Sequence, residues 1–224
     1  MLTKLNDADI YDKKHTLRLL WKFNHKGHLC IVFEFLDLNL RGTLTLYSKR
    51  AGLSLPAVRS YSYQLFIALY HLRKHSIAHL DSSLIITLVK PDNLMISQNR
   101  KKLKLIDFGN AMFVEDIPRI ADLLARYYKP PEVMVGFGWD FTIDIWSRAC
   151  TLFEIFTGSI LFTGNSDNQM LKQIFELKGC YTQRVLKKGA FIQDHFDIQN
   201  NTFMSVEIDT LTRQVAKSFN IDRG

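Results

Sequence analysis

Five short segments with distinctive combinations of His, Asp, Lys, Pro and Gly follow one another along the chain. Their fixed order constrains the fold more than any other feature. Each segment alone occurs by chance, and an Asp-Phe-Gly triplet is typical of any loop after a buried strand. All five in one order, two of them bracketing a predicted strand pair, are hard to obtain by chance. The segments are HLD (79–81), KPDN (90–93), DFG (107–109), YKPPE (128–132) and DIWS (144–147).

The hydrophobic pattern around these segments predicts a small β-structure followed by a mainly helical body. Residues 17–23 and 29–35 are apolar and flank a polar turn, which is typical of a β-hairpin. Apolar residues at spacings of three and four predict a helix that begins near Pro56 and further helices over 143–156 and 168–177. Short strands are predicted over 94–97 and 103–106. After Gly179 the pattern weakens into mixed polar and aromatic sequence.

Composition narrows the class of protein. The chain has 224 residues, 47% of them hydrophobic, and can bury a substantial core in one domain or two small ones. Its apolar runs, such as 84–89, are far shorter than the roughly 20 residues that cross a bilayer, so no membrane association is expected. The first residues lack the apolar stretch of a secretory signal. Cys30, Cys150 and Cys180 are far apart and odd in number, which predicts reduced thiols in an intracellular protein.

The charge balance is less informative. A formal net charge of +7 is compatible with binding to nucleic acid or to an acidic peptide. However, the Lys and Arg residues are scattered, and the densest run, 100–104, is typical of an exposed turn between two strands. Direct nucleic-acid binding is therefore not predicted.

The five ordered segments resemble those of the eukaryotic protein kinases. Six further segments resemble more closely the serine/threonine kinases associated with pre-mRNA splicing, in the branch that contains cyclin-dependent and dual-specificity kinases. These are LNDAD (5–9), HLCIVFE (28–34), AVRSYS (57–62), QLF (64–66), TL (151–152) and DHFD (194–197). The resemblance implies an incomplete kinase domain of the α+β class. Residues 1–36 would be a remnant of the N-terminal lobe with the hinge, 37–180 a helical C-terminal lobe, and 181–224 a poorly defined tail.

The resemblance also implies a reaction: transfer of the γ-phosphate of ATP to protein hydroxyl groups, with ATP and Mg²⁺ as cofactors. Asp81 would orient the substrate hydroxyl and accept its proton, and Lys90 would contact the γ-phosphate. Asn93 and Asp107 would hold Mg²⁺ through hard oxygen ligands.

The adenine would lie against the FEFL segment (33–36), which matches the gatekeeper and hinge of kinases. The carbonyl of Glu34 and the amide of Leu36 would pair with the base, above an apolar floor that includes Met95. Asp144 and Trp146 would brace the catalytic loop from the following helix. For Phe33, Met95 and Trp146 ordinary core packing explains each residue, taken alone, at least as well. The resemblance further implies a monomer in the nucleus whose protein substrates include Ser/Arg-rich splicing factors.

Several features depart from the kinase pattern. No Gly-x-Gly-x-x-Gly phosphate loop occurs, and no strand Lys paired with a helix Glu is recognised upstream of the hairpin. Asp81 and Asn93 are 93 − 81 = 12 positions apart, whereas kinase loops place them five apart. The added apolar run is expected to seek burial and to pull Asp81 away from Asn93. Leu80 replaces the usual Arg, and Asp122 stands where this branch has an activating Tyr.

Three functions are compatible with this pattern. The chain is a serine/threonine kinase, a catalytically impaired pseudokinase that binds splicing-related partners, or a fragment too incomplete to fold stably. The lengthened catalytic loop and the unrecognised phosphate loop favour impaired catalysis, because general-base help alone is worth about 10²–10⁴-fold in rate.

Overall fold

The coordinates are those of a computed structural model. They describe residues 1–49, 51–81, 84–87, 90–109, 111–113, 126–137, 143–180, 188–197, 199–200, 202–208 and 215–219. The chain divides into two compact units, of which unit 1 comprises Met1–Leu124 with Thr151–Ser159 and unit 2 comprises Ala125–Cys150 with Ile160–Gly224. The division predicted from the sequence, at residues 36 and 180, stays a prediction. Within the described ranges no helix is both long and apolar enough to span a lipid bilayer.

The described part of unit 1 combines helices with four two-stranded antiparallel sheets. Its described helices are α1 (Leu2–Asp7), α2 (Leu40–Tyr47), α3 (Leu55–Lys74) and the second half of α5 (Ile143–Thr157). Its described strands are β1 (Leu19–His25), β2 (His28–Phe33), β3 (Ile77–Ala78), β4 (Leu80–Asp81), β5 (Leu84–Thr87), β6 (Leu94–Ile96), β7 (Leu103–Leu105) and β8 (Met112–Phe113). A 3₁₀ turn, Pro91–Asn93, precedes β6.

The predicted hairpin is confirmed as β1–β2. His25 pairs with His28, and the two residues between them, Lys26 and Gly27, have φ of +48° and +80°. Positive φ at both central positions defines the two-residue turn whose twist matches that of paired strands. Most side chains of the hairpin are exposed, including Trp21 at 69%.

The core of unit 1 forms around α3, which confirms the helix predicted from Pro56. Its apolar stripe is buried, and α3 packs against β7. Gln64 joins the two elements, because its Oε1 accepts the Leu103 N–H at 2.7 Å and its Nε2 donates to the Lys101 carbonyl at 2.9 Å. The stripe consists of Val58, Tyr61, Leu65, Leu69 and Leu72.

The basic run at 100–104 is only partly the exposed turn that the sequence predicts. Arg100, Lys101 and Lys102 are exposed between β6 and β7. Lys104 is 1% exposed, so the prediction is wrong for this residue. The reason is positional: Lys104 lies in the middle of β7, all three residues of which are buried.

Unit 2 contains α4 (Pro131–Met134), the first half of α5, α6 (Asp167–Lys178) and a three-stranded antiparallel sheet. The helices predicted over 143–156 and 168–177 are thereby confirmed as α5 and α6. The Ser166 hydroxyl accepts the Gln169 N–H at 3.2 Å and so caps the start of α6. Phe175 of α6 packs against Phe196 and Phe203, with ring centroids 5.3 to 5.8 Å apart.

The sheet of unit 2 lies where the sequence pattern is weak. Its strands are β9 (Phe196–Asp197), β10 (Thr202–Ile208) and β11 (Val215–Phe219), in the order β11-β10-β9. Phe203 and Ser205 are buried while Thr202 and Met204 are half-buried, an alternation typical of a strand. A buried serine among apolar neighbours weakens that alternation when the sequence is read alone. The α+β class predicted from the sequence is confirmed.

Candidate active site

A cavity of about 710 Å³ in unit 1 is the candidate binding site. Its wall is formed by residues of α1, β1, β2 and β6 and by the segment that follows β7. Most of these residues are apolar, and the charged side chains on the wall are Lys22, Glu34 and Asp107. A cavity of this size, apolar with a few polar groups, suits a small organic ligand. We call it the hinge cavity, because residues 33–36 lie on its wall.

Four residues that the sequence assigns to nucleotide binding come together in the hinge cavity. The chain after β2 runs beside β6, where the Asp37 N–H donates to the Ile96 carbonyl and the Ile96 N–H donates to the Leu38 carbonyl, both at 2.9 Å. This pairing places the predicted hinge against the strand that carries the predicted apolar floor. The four residues are Glu34, Leu36, Met95 and Asp107.

Asp107 and Asn93, the predicted Mg²⁺ ligands, belong to adjoining segments. The Asn93 carbonyl accepts the N–H of Ile106, the residue before Asp107, at 3.0 Å. Asp107 has φ of +64°, a left-handed conformation that costs free energy and clusters at functional sites. A carboxylate and an amide oxygen are hard donors, and Mg²⁺ is commonly held by one or two carboxylates plus substrate phosphates. The donor set fits that ion, although no group of three or more His, Cys, Asp or Glu side chains in the described ranges could hold a metal alone.

The HLD and DFG segments are in direct contact. His79 is fully buried, and its Nε2 lies 2.5 Å from the Ile106 carbonyl, to which it donates. The His79 ring packs edge-on against Phe108, with centroids 5.0 Å apart and planes at 83°. The strand pair β3–β8 joins the same two regions of the chain, with Ile77 opposite Phe113. Tertiary packing therefore brings together two motifs that lie 28 positions apart, from 79 to 107.

The inserted segment after Asp81 folds back on the strand that carries this residue. β4 and β5 are antiparallel, with Leu80 opposite Thr87 and Asp81 opposite Leu84. The described part of the insertion, 84–87, therefore pairs with the strand that carries Asp81. The side chain of Asp81 lies outside the described residues, and its predicted displacement from Asn93 stays a prediction. Asp122 lies outside them as well.

Lys90 and Asn93 flank the hinge cavity without lining it. Lys90 is half-buried and precedes the 3₁₀ turn Pro91–Asn93, and its carbonyl accepts the Asn93 N–H at 3.0 Å. Asn93 is 4% exposed. Asn93 thus contacts the segment that precedes Asp107, and the predicted roles of Lys90 and Asn93 toward phosphate and Mg²⁺ stay predictions.

A buried lysine behind the hinge is a site residue that the sequence did not indicate. The Lys104 ammonium donates to Glu34 Oε1 at 2.7 Å and to the carboxylate of Asp12. Glu34 Oε1 also accepts the Arg18 N–H at 2.8 Å, while the Glu34 N–H donates to the Arg18 carbonyl at 2.9 Å. Glu34 is therefore fixed through both its backbone and its side chain. A lysine within a Lys-rich run offers no sequence pattern that would reveal its burial.

The same cluster changes the ionisation of two neighbours. Burial disfavours the charged form of Asp12, yet hydrogen bonding to Lys104 and the charges of Lys104 and Lys102 hold the pKa of Asp12 below its usual value. Burial, reinforced by the charges of Lys104 and Lys102, lowers the pKa of His15, although the Leu103 carbonyl at 3.1 Å and Asp12 act in the opposite direction. His15 is therefore more easily neutral in the folded chain than in the unfolded chain.

We expect the free energy of unfolding to fall as the pH drops below about 6.5, the usual pKa of His. Below that value the unfolded chain binds a proton at His15 that the folded chain resists, so stability is full above it and is lost toward the lower folded pKa. Asn tolerates the φ of +58° at this position, so His15→Asn should weaken the pH dependence. Urea unfolding at about pH 7.5 and about pH 5.5 measures it. Exposed His25→Asn is the control, and equal slopes in wild type and His15→Asn would contradict the expectation.

In unit 2 the DIWS and YKPPE segments contact each other. The Ser147 hydroxyl donates to the Tyr128 carbonyl at 3.1 Å. The Trp146 ring stacks on Phe162, with centroids 5.8 Å apart and planes at 9°. Lys129 pairs with Asp167 at 2.5 Å. The packing of Trp146 agrees with a core role, while the side chain of Asp144 lies outside the described residues and the bracing of the catalytic loop stays a prediction.

Comparison with known proteins identifies the family. The family model described as "Protein kinase domain" matches residues 7–223. Serine/threonine-protein kinase prp4 of Schizosaccharomyces pombe is 40% identical over 214 residues, which cover 96% of this chain and 43% of that protein. Serine/threonine-protein kinase prpf4B of Dictyostelium discoideum is 38% identical over 205 residues, covering 92% of this chain and 24% of that protein.

A third relative matches a smaller part of this chain. The Dual specificity protein kinase YAK1 homolog of Arabidopsis thaliana is 37% identical over 182 residues, covering 80% of this chain and 18% of that protein. The chain thus spans less than half the length of each of these three relatives. The family match spans nearly the whole chain and agrees with the α+β fold. The chain therefore belongs to the protein kinase domain family and groups there with serine/threonine protein kinases.

Proposed function

We propose that this chain binds ATP with Mg²⁺ in the hinge cavity and transfers phosphate to protein Ser or Thr hydroxyls at a rate strongly reduced by its inserted loop. The observation that carries the proposal is the convergence of Glu34, Leu36, Met95 and Asp107 on one cavity wall. Protein kinase family membership supplies the reaction class.

The residues have separate roles in this proposal. Leu36, 8% exposed, and Met95 present apolar surface to the adenine, and the backbone of residues 34–36 pairs with its edge. Asn93 and Asp107 hold Mg²⁺, which when bound neutralises charge on the phosphates. Lys90 contacts the γ-phosphate. Asp81 accepts the proton of the substrate hydroxyl.

Buried charge keeps the adenine-binding backbone in place. Lys104 and the Arg18 N–H both bind Glu34 Oε1, so the residue that begins the hinge cannot shift without leaving a half-buried carboxylate unpaired. A fixed hinge lowers the ordering cost of nucleotide binding, since the pairing groups are already oriented. The apolar wall then excludes water from the adenine.

The reduced rate follows from the insertion between Asp81 and Lys90. A kinase loop places the catalytic Asp and the metal-binding Asn five positions apart, and here they are 93 − 81 = 12 apart. β5 pairs with the strand that contains Asp81, so the backbone of the catalytic Asp belongs to an added hairpin. A misplacement near 1 Å costs on the order of a hundredfold in rate.

The same insertion supports a second candidate function. A chain that retains the nucleotide cavity but positions its catalytic Asp poorly acts as a pseudokinase, a binding module for splicing-related partners. The similarity to splicing-associated kinases extends either function to pre-mRNA processing in the nucleus, with Ser/Arg-rich proteins as substrates or partners of a monomer. A fragment that does not fold stably is the third alternative.

The test uses the purified chain, Mg-ATP and a Ser/Arg-rich peptide. We expect a cooperative thermal transition that ATP shifts upward, because ligand binding to the folded state stabilises it. Phosphate transfer should be about 10²–10⁴-fold slower than that of the Schizosaccharomyces pombe relative assayed alongside. Transfer at the relative's rate that disappears in Asp107→Asn would overturn the reduced activity. A folded chain without an ATP-induced shift would overturn nucleotide binding, and the absence of a cooperative transition would favour the unstable fragment.

A further inference from the structure

One arginine of unit 1 joins two carboxylates from distant parts of the sequence. Arg41, the second residue of α2, donates from Nε to both oxygens of Asp92, at 2.8 and 2.9 Å. Its Nη1 donates to Oε1 of Glu154 on α5 at 2.7 Å. Asp92 and Glu154 are 51 and 113 positions from Arg41, so the bridge is a product of the tertiary fold.

The two ends of the bridge differ in exposure. The Glu154 side chain is 3% exposed, whereas those of Arg41 and Asp92 are 39% and 36% exposed. A buried carboxylate requires a paired cation, so Glu154 fixes the position of the guanidinium. Because the guanidinium is planar, its Nε–H is then held toward Asp92. The buried Glu154 therefore fixes the Arg41 guanidinium, and the guanidinium in turn fixes the half-exposed Asp92.

Asp92 is the middle residue of the 3₁₀ turn Pro91–Asn93. The Asn93 carbonyl accepts the Ile106 N–H at 3.0 Å, and Asp107 follows directly. The side-chain contacts of Glu154 and Arg41 therefore reach Asp92, and the backbone connects Asp92 to Asn93. The Asn93–Ile106 hydrogen bond then links this turn to Asp107. Arg41 itself does not line the hinge cavity, so it has no direct contact with a nucleotide bound there.

The start of α2 is held independently of the bridge. The Asn39 side chain accepts the Gly42 N–H at 2.7 Å and caps the helix, and the Asn39 backbone bridges to Met95 of β6. Arg41 thus extends from a helix end that is already fixed to the floor of the cavity. Because this end of α2 is fixed, the long Arg41 side chain can hold the 3₁₀ turn Pro91–Asn93 in place.

We propose that Arg41 is a positioning residue that holds Asn93 beside Asp107 and thereby strengthens Mg²⁺-dependent nucleotide binding. The inference rests on the proposed nucleotide site. Groups that orient metal ligands without touching the metal typically change metal affinity about 10–100-fold when removed. Adenine binding, which uses residues 34–36 and Met95, does not depend on this bridge.

The test compares three ligands by calorimetry: adenosine, ATP without Mg²⁺, and ATP with Mg²⁺. In Arg41→Met the affinity gain from Mg²⁺ should fall about tenfold, while adenosine affinity stays within about twofold. Asp92→Asn should give a similar loss, and the double variant no further loss, because the two residues act as one unit. Arg41→Lys should fall between wild type and Arg41→Met, since an ammonium cannot reproduce the guanidinium geometry. Arg59→Met, an exposed arginine of α3, is the matched control.

The outcomes separate this inference from the proposed function. An unchanged Mg²⁺ gain in Arg41→Met, or parallel losses of adenosine and Mg-ATP affinity, would overturn the positioning role and leave nucleotide binding intact. Additive losses in the double variant would also overturn it. If Arg41→Met does not fold, Asp92→Asn, which keeps the Arg41–Glu154 contact, decides the question.

Failure of wild type to bind any of the three ligands would overturn the proposed function. Hydrogen exchange at the Ile106 amide then decides the role of Arg41, because this amide donates to Asn93. Faster exchange in Asp92→Asn than in Arg59→Met supports the positioning of Asn93, and equal exchange overturns it.

Discussion

Replacing Lys104 with methionine is expected to lower the free energy of unfolding by about 3 kcal/mol, near the low end of the cost of breaking a buried ion pair. The ammonium is 1% exposed and pairs with Glu34 and Asp12, whose side chains are 22% and 29% exposed. Methionine fills a similar volume but leaves Glu34 without its ammonium partner and Asp12 with only the exposed Lys102 at 3.4 Å. Because each carboxylate keeps some contact with solvent, the cost stays below that of a fully buried orphan charge. Urea unfolding of the whole chain measures it.

Lys102 supplies the matched control for this prediction. Its side chain is 55% exposed and lies 3.4 Å from Asp12, so Lys102→Met should cost less than about 1 kcal/mol. Adding Asp12→Asn to Lys104→Met removes one of the two carboxylates that lost Lys104 and should recover part of the loss. Equal stabilities of the Lys104→Met and Lys102→Met variants would show that the ion cluster does not stabilise the fold.

Replacing Asp107 with asparagine is expected to reduce the affinity gain that Mg²⁺ gives to ATP binding by about 100-fold or more. Asp107 is the only Asp on the wall of the hinge cavity among the described residues, and removing a direct ligand exceeds the 10–100-fold cost of removing its supporting groups. Asn keeps the size of the side chain and tolerates φ of +64°, so the fold should be little affected. Calorimetric titration of ATP with and without Mg²⁺ measures the gain.

Asp37→Asn controls for the loss of a carboxylate near the hinge, because Asp37 is exposed and does not line the cavity. Adenosine binding should be unchanged in both variants, since it needs no metal. An undiminished Mg²⁺ gain in Asp107→Asn would remove Asp107 from the proposed metal site. A loss of adenosine affinity in the same variant would indicate a general distortion of the hinge cavity instead.

Much of the fold could be predicted because local patterns agree with the tertiary structure. The β1–β2 hairpin follows from a two-residue turn containing Gly27, and α3 follows from an apolar stripe at helical spacing. Strand β10 could not, because Ser205 is buried among apolar neighbours and interrupts the expected alternation. The spacing of Asp81 and Asn93 predicts an inserted segment. Its pairing with β4, however, depends on a strand register that this spacing does not specify.

The candidate site also contains residues that the sequence predicts and residues that only the tertiary structure reveals. The resemblance to kinases predicts Glu34, Leu36, Met95 and Asp107 as site residues, and the structure places them on one wall. The sequence does not predict Arg41 or Lys104 as site residues, because each lies in a segment whose pattern is typical of the protein surface. Their importance lies in partners 51 to 113 positions away for Arg41 and 70 to 92 positions away for Lys104, from 104 − 34 and 104 − 12.

The amino-acid sequence by itself determined the family, the order of the motifs and the residue types available for phosphate, metal and adenine. These are local properties, because a motif is a run of neighbouring residues and its chemistry depends on their side chains. The tertiary structure alone decided which charges are buried and paired. A side chain loses its solvent only when distant segments pack around it, and that packing turns Lys104 and Arg41 from surface cations into supports of the hinge and of the turn beside Asp107.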